Sequence, residues 1–197
     1  MKPIDTERRL VVADCRMEQV MSKTTLVQDH IFRDGEIVPF GQYLGRTRRK
    51  REAPIAWSAD EIRAAVAAMP HGERGTLALV NPEAPEAGTI ARGLSLAVQV
   101  VRKGESTSPH AHSFWHLYLV QSGAGLADFG DVKKSRPIAA GDVLMFPAWC
   151  AHAFHNHDGK EDLVLICLQN LPECANMGSL VRQEATGELA VVYAEHQ

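Results

Sequence analysis

"GESTSPHAHSFWHLYLVQSG", residues 104–123, gathers three of the chain's nine histidines within seven positions of an apolar, aromatic run. Strand side chains alternate between faces, so residues of one parity share a face. His110, His112, His116 and Tyr118 are all even-numbered. On one uninterrupted strand they form an inward wall of three imidazoles with a phenol beside it. A second stretch, "GDVLMFPAWCAHAFHN" at 141–156, brings His152 in after a proline turn, where it is placed to close the site from the opposite side. Phe154 shares its parity and His155 points the other way. Burying four histidines without a partner is costly, through desolvation and through mutual repulsion once any of them ionises. A metal removes that cost, because neutral imidazole is the commonest metal ligand and suits Fe, Mn, Ni, Cu and Zn. The residues therefore predict a four-nitrogen metal site of His110, His112, His116 and His152. His155 and His157, in "HNHDGKED", read as solvated polar residues.

The surroundings of these stretches predict a mainly β fold. From Thr76 onward, runs such as "TLALV", "GLSLAVQVV", "GLADFG" and "DLVLICLQN" are separated by Gly, Pro, Asn and Asp clusters. Short strands at this spacing without intervening helices imply an antiparallel sandwich or barrel. Ahead of them, "WSADEIRAAVAAMPHG" predicts a helix, with Ser58 and Glu61 in a capping-box pattern and Ile62, Val66 and Met69 on one face. The organisation reads as an N-terminal extension or arm over 1–54, a covering helix and linker over 55–75, a barrel over 76–172 and a tail over 173–197. The arm holds β-like runs at "RLVVADC" and "GEIVPFGQYL" and a basic run from Arg46 to Arg51, read as a solvated connector. The tail is expected to add a strand pair around Gly187.

Composition excludes several classes. A net charge of −3 gives no general drive towards nucleic acid or an anionic membrane. The N-terminus lacks the apolar core of a secretory signal, and no stretch approaches a membrane span. Cys15, Cys150, Cys167 and Cys174 show no C-x-x-C pair and read as reduced thiols, which points to a cytoplasmic protein.

The two histidine stretches resemble the two cupin motifs. Gly104 to Gly123 follows the first, a glycine, five residues, H-x-H, three or four residues, a glutamate, six residues and a glycine, with His116 standing at the glutamate. Gly141 to Asn156 follows the second, with Trp149 in place of its middle glycine. The resemblance implies an antiparallel cupin (jelly-roll) β-barrel that binds one divalent metal per chain through His110, His112, His116 and His152. Imidazole in place of carboxylate makes such a site more positive by one unit. Over about residues 53–172 the order of "APIAWSADEIRAAV", "TLALVNPE" and both motifs is similar to one half of gentisate 1,2-dioxygenase and its relatives. Those are non-haem iron enzymes that cleave hydroxylated aromatic acids with O2. Where the resemblance leads us to expect a carboxylate-binding arginine after the first motif, this chain has Tyr118.

The expectation is a mononuclear dioxygenase with Fe(II), or else Mn(II), Ni(II) or Zn(II), acting on a small, hydroxylated aromatic compound and O2. Tyr118 is the candidate catalytic residue. Phe114, Phe146, Trp149 and Phe154 are the candidate substrate-pocket walls. Two alternatives stand beside it. One is a metal-dependent lyase with Tyr118 as base, similar to the cupins that cleave dimethylsulfoniopropionate. The other is a non-catalytic small-molecule-binding cupin. A homodimer or higher homo-oligomer is expected, because exposed edge strands need a cover.

Overall fold

Alternation governs the strands that the computed structural model describes over residues 35–47, 53–69, 75–130, 132–157 and 159–191. In "HLYLVQS" every second side chain is buried, and in "VLMF" likewise. The chain divides into two units, up to Arg49 and from Lys50 onward. The described part of the first contains helix α1 (Phe40–Arg46), preceded by Pro39. That corrects the β-like reading of "GEIVPFGQYL". Proline fixes its own φ and is tolerated where a helix begins, since the missing N–H would have no helical partner there. The run at 9–15, Cys15 and residues 48–51 of the basic run lie outside the described residues.

The second unit opens with α2 (Ala59–Ala68), whose Ser58 and Glu61 form the capping box in both directions. Its half-buried residues are Ile62 and Val66, with Met69 just beyond the C-terminal end. Arg102 holds that end, donating to Val66 O at 2.7 Å and to Met69 O at 3.3 Å while pairing with Asp162 at 2.6 Å.

Eleven strands follow among the described residues, in two antiparallel sheets. They are β1 (Thr76–Leu79), β2 (Ser95–Val101), β3 (His110–His112), β4 (His116–Ser122), β5 (Ala124–Phe129), β6 (Val132–Ala139), β7 (Val143–Phe146), β8 (His152–His155), β9 (Leu163–Gln169), β10 (Val181–Glu184) and β11 (Leu189–Val191). A short helix, α3 (Leu171–Asn176), lies between β9 and β10. One sheet runs β1-β2-β9-β4-β7 and the other β11-β10-β3-β8-β5-β6. The core contains Ala97, Tyr118, Val120, Phe146, Leu163 and Leu165 from the first and Ala127, Ile138 and Phe154 from the second. A smaller cluster of Phe114, Cys174 and Leu180 packs α3 beside the passage from β3 to β4. Among the described residues no helix is long and apolar enough to cross a membrane.

One strand, β6, went unread in the sequence. β6 ("VKKSRPIA") lies at the end of its sheet, and Pro137 within it discourages pairing with another chain. The expected strand pair around Gly187 is β10 with β11, and β10 also joins the second sheet beside β3, so the tail forms part of the wall around the histidines. The β4–β5 turn needs Gly123: its φ is +80°, and a Cβ there would lie 2.4 Å from Asp162 O.

Candidate metal centre

β3 and β8 are neighbours in one sheet, with His110 directly opposite His152 in register. His112 lies two residues along the same strand. The ligand nitrogens of these three histidines all fall within 4.8 Å of one another. His116 begins β4, which belongs to the other sheet. The expected uninterrupted strand is therefore broken at 113–115, where the chain crosses from sheet to sheet. Ser113 N–H donates to Val181 O at 2.9 Å and Trp115 N–H to Asn170 Oδ1 at 3.0 Å, which fixes the crossing. The facing is also the reverse of that expected: His152 sits beside His110, and His116 comes from across. The expected set of four nitrogens becomes a group of three with His116 adjacent, its ring 4.2 Å from that of His112 and 5.4 Å from that of His152.

Each ring is oriented by what lies behind its Nδ1. His110 bonds Ser108 O at 2.9 Å, His112 bonds Phe114 O at 2.7 Å and His152 bonds Cys150 O at 2.9 Å. A carbonyl only accepts, so in each of these the proton is on Nδ1 and Nε2 carries a lone pair. His116 Nδ1 meets the Tyr118 hydroxyl at 2.6 Å, and that hydroxyl donates to Gln99 Oε1 at 3.2 Å. With the phenol proton directed at Gln99, the hydroxyl oxygen is free to accept from His116 Nδ1. The Nε2 atoms of His110, His112 and His152 are thus in the state that binds metal. Those of His112, His116 and His152 are buried with no hydrogen-bond partner among the described residues. An unsatisfied buried polar atom costs about 1–3 kcal/mol, and a divalent ion satisfies several at once. The donor set therefore fits a metal of the kind that imidazole suits.

Burial keeps these rings neutral. It pushes His116 down to about 2, His152 to about 3 and His112 to about 4, with the neighbouring histidines adding to the effect. Phe114 stacks on His112 with centroids 3.8 Å apart, and Phe146 lies 4.7 Å from His152.

A cavity of about 530 Å³ opens over this wall. His110, His112, His116, Phe114 and Tyr118 line it, with Gln99, Cys167, Gln169, Arg182 and Glu184 among the rest. Of the four expected pocket walls, only Phe114 is among the lining residues. Phe146 and Phe154 lie in the core, where the apolar floor needs them, and Trp149 is 51% exposed. Trp149 nonetheless marks a constrained point: its φ of +63° is the only positive value of a non-glycine among the described residues, and its N–H donates to His112 O at 2.7 Å. That backbone conformation suits glycine.

The sequence reading missed the polar side of the cavity. Arg182 stands opposite His112 and Glu184 opposite His110 in the β10–β3 register. Arg182 Nε donates to Glu184 Oε1 at 2.6 Å and its Nη2 to Oε2 at 3.3 Å. The shared parity of Arg182 and Glu184 ahead of a Gly187 turn was the available signal. His155 and His157 are elsewhere, as expected: both bond Ser106 Oγ at 2.8 Å, and His155 Nε2 donates to Asp128 Oδ2 at 2.9 Å. Among the described residues Cys150, Cys167 and Cys174 are free thiols.

Residues 97–169 match the model of the Cupin domain family. Salicylate 1,2-dioxygenase from Pseudaminobacter salicylatoxidans is similar in structure, with a TM-score of 0.66 and 20% identity over 79% of this chain and 47% of that one. The same enzyme as an adduct with gentisate gives 0.63 and 20%, over 82% and 46%. At this identity the likeness concerns the fold, and the chain spans less than half the length of these structures. No curated protein sequence matches.

Proposed function

We propose that this cupin domain is a mononuclear non-haem metal dioxygenase acting on a small, hydroxylated aromatic compound, with His110, His112 and His152 as its constant ligands and His116 as a fourth. The observation that carries the reading is the set of buried, partnerless Nε2 atoms on rings whose tautomers are fixed from behind. Support for oxygen chemistry comes from the structural likeness to an enzyme named a salicylate 1,2-dioxygenase and seen as an adduct with gentisate. Fe(II) is the metal we assign, and when bound it supplies the redox centre at which a phenol and O2 react.

The chain's own residues do the rest. The cavity has the volume of a small-molecule site and room for one aromatic ring. Arg182, fixed by two bonds to Glu184, presents a cation on the cavity wall to an anionic group of the substrate. Phe114 holds the His112 ring in place by stacking on it. Tyr118 acts through His116, as a positioning residue. What counts against the lyase alternative is the state of that phenol. Burial raises it well above its usual value, Cys167 adding to this, and its oxygen is already engaged by His116 and Gln99.

The test is oxygen uptake by protein loaded anaerobically with Fe(II) and offered catechols, hydroquinones, and hydroxy- and aminobenzoates. We expect uptake with at least one compound, one O2 per substrate, and its loss in His152→Ala together with the metal. His155→Ala should keep both. Full metal occupancy with no uptake from any compound would refute the dioxygenase reading, and stoichiometric metal in His152→Ala would refute the site.

A further inference from the structure

We propose that Gln99 is a positioning residue that makes His116 a metal ligand by fixing the direction of the Tyr118 hydroxyl. The inference rests on the metal site proposed above.

Three of the four histidines cannot change tautomer without breaking a bond to a backbone carbonyl, because Ser108 O, Phe114 O and Cys150 O only accept. His116 differs. Its Nδ1 faces a hydroxyl, which can either accept or donate. Whichever the hydroxyl does decides where the His116 proton resides. If the phenol accepts, the proton is on Nδ1 and Nε2 has a lone pair for a metal. If the phenol donates, the proton is on Nε2, and the ring is a hydrogen-bond donor into the cavity that no metal can bind. The number of protons on the ring is the same in both states, so the choice does not depend on pH.

The phenol's own choice is made by its other neighbour. Gln99 Oε1, 3.2 Å away on β2, accepts the phenol proton and so leaves the phenol oxygen to accept from His116. The thiol of Cys167, paired with Tyr118 in the β4–β9 register, also faces the hydroxyl, but sulfur is a weak acceptor. Without the Gln99 oxygen, His116 Nδ1 is the best acceptor left for the phenol. Gln169, opposite His116 in the β4–β9 register, also lines the cavity. A histidine ligand that leaves by changing tautomer frees a coordination position without moving a strand, which a chelating substrate requires.

The experiment uses Co(II) on the full chain under anaerobic conditions, reading the visible ligand-field spectrum and the dissociation constant. Wild type is expected to bind one Co(II) per chain. Gln99→Leu, close in shape but with no acceptor, should still bind one, about 10–100-fold more weakly, with the spectrum of His116→Gln. Gln99→Glu keeps an acceptor and should keep the wild-type spectrum. Tyr118→Phe breaks the relay at its middle and should resemble Gln99→Leu, which covers the case where the leucine variant does not fold. A wild-type spectrum and affinity in Gln99→Leu or Tyr118→Phe would overturn the inference and leave the three-histidine site standing. Failure of wild type to take up Co(II) would instead overturn the metal site itself.

Discussion

Acidification of the metal-free protein tests the histidine cluster without any knowledge of its substrate. His112, His116 and His152 are held neutral in the folded chain, at about 4, 2 and 3, mainly by burial, against an ordinary value of 6.5. Between those limits the unfolded chain binds protons that the folded chain cannot, so stability is full above the unfolded value and is lost as pH falls below it. A pH of about 5 is about 1.5 units below the unfolded value, worth ~2 kcal/mol per ring. Three rings together remove ~6 kcal/mol relative to neutral pH, comparable with the whole stability of an ordinary domain. The slope there approaches three protons, or ~4 kcal/mol per pH unit. Carboxylates do not interfere, because those held low in the folded chain, such as Asp128 and Glu61, have ordinary values of 3.8 and 4.5 and contribute only below them. The assay is urea unfolding of EDTA-treated protein followed by tryptophan fluorescence at steps from about pH 8 to pH 5. We expect the midpoint to be level above neutrality and to fall steeply below about pH 6.5, with the slope cut by about a third in His116→Gln. A level profile down to pH 5 would mean that the rings are not buried together, and the reasoning from their lone pairs would fall with it.

Two further expectations concern the frame that holds the site. At Trp149, with φ +63°, the left-handed backbone costs a non-glycine residue about 1–2 kcal/mol, while the buried half of its surface returns about 2–3 kcal/mol. Trp149→Gly and Trp149→Ala should both destabilise, but the glycine variant should be the more stable of the two by about 1 kcal/mol in urea unfolding; equal midpoints would show that the backbone carries no strain. Asn156, fully buried, donates to Val101 O at 2.9 Å and Glu161 O at 3.0 Å and so ties the turn before β9 to the end of β2. Asn156→Ala should cost about 1–3 kcal/mol by taking the amide donor from the buried bond to Val101 O, and a loss below about 0.5 kcal/mol would show that water replaces the amide there.

The strands and the histidines were legible because both are written in local spacing. Alternation found β2, β4, β7, β8 and β9, and the even parity of His110, His112, His116 and Tyr118 correctly faced them inward. Parity counts faces, however, and says nothing of sheets. His116 belongs to the other sheet because Ser113 and Trp115 are held by Val181 and Asn170, more than fifty residues away, and no short pattern records such bonds. Arg182 and Glu184 escaped for the same reason: their strand acquires its meaning only by pairing with β3. Pocket walls were misplaced where bulk was taken for lining, since Phe146 and Phe154 are large because the core beneath the cavity needs filling.

The groups that prepare the histidines for a metal were, by contrast, close at hand. Ser108 to His110, His112 to Phe114, Cys150 to His152 and His116 to Tyr118 are each two residues apart. A backbone carbonyl at that distance is present in any sequence, so three of the four tautomers follow from chain geometry and carry no residue signature. The fourth needs a side chain, Tyr118, and a hydroxyl has no preferred direction of its own. That direction comes from Gln99, 19 residues away on another strand and the one polar side chain of "LAVQVV". A lone amide in an apolar strand that faces a tyrosine is a feature a sequence displays, but its consequence for a ligand appears only when β2, β9 and β4 are laid side by side.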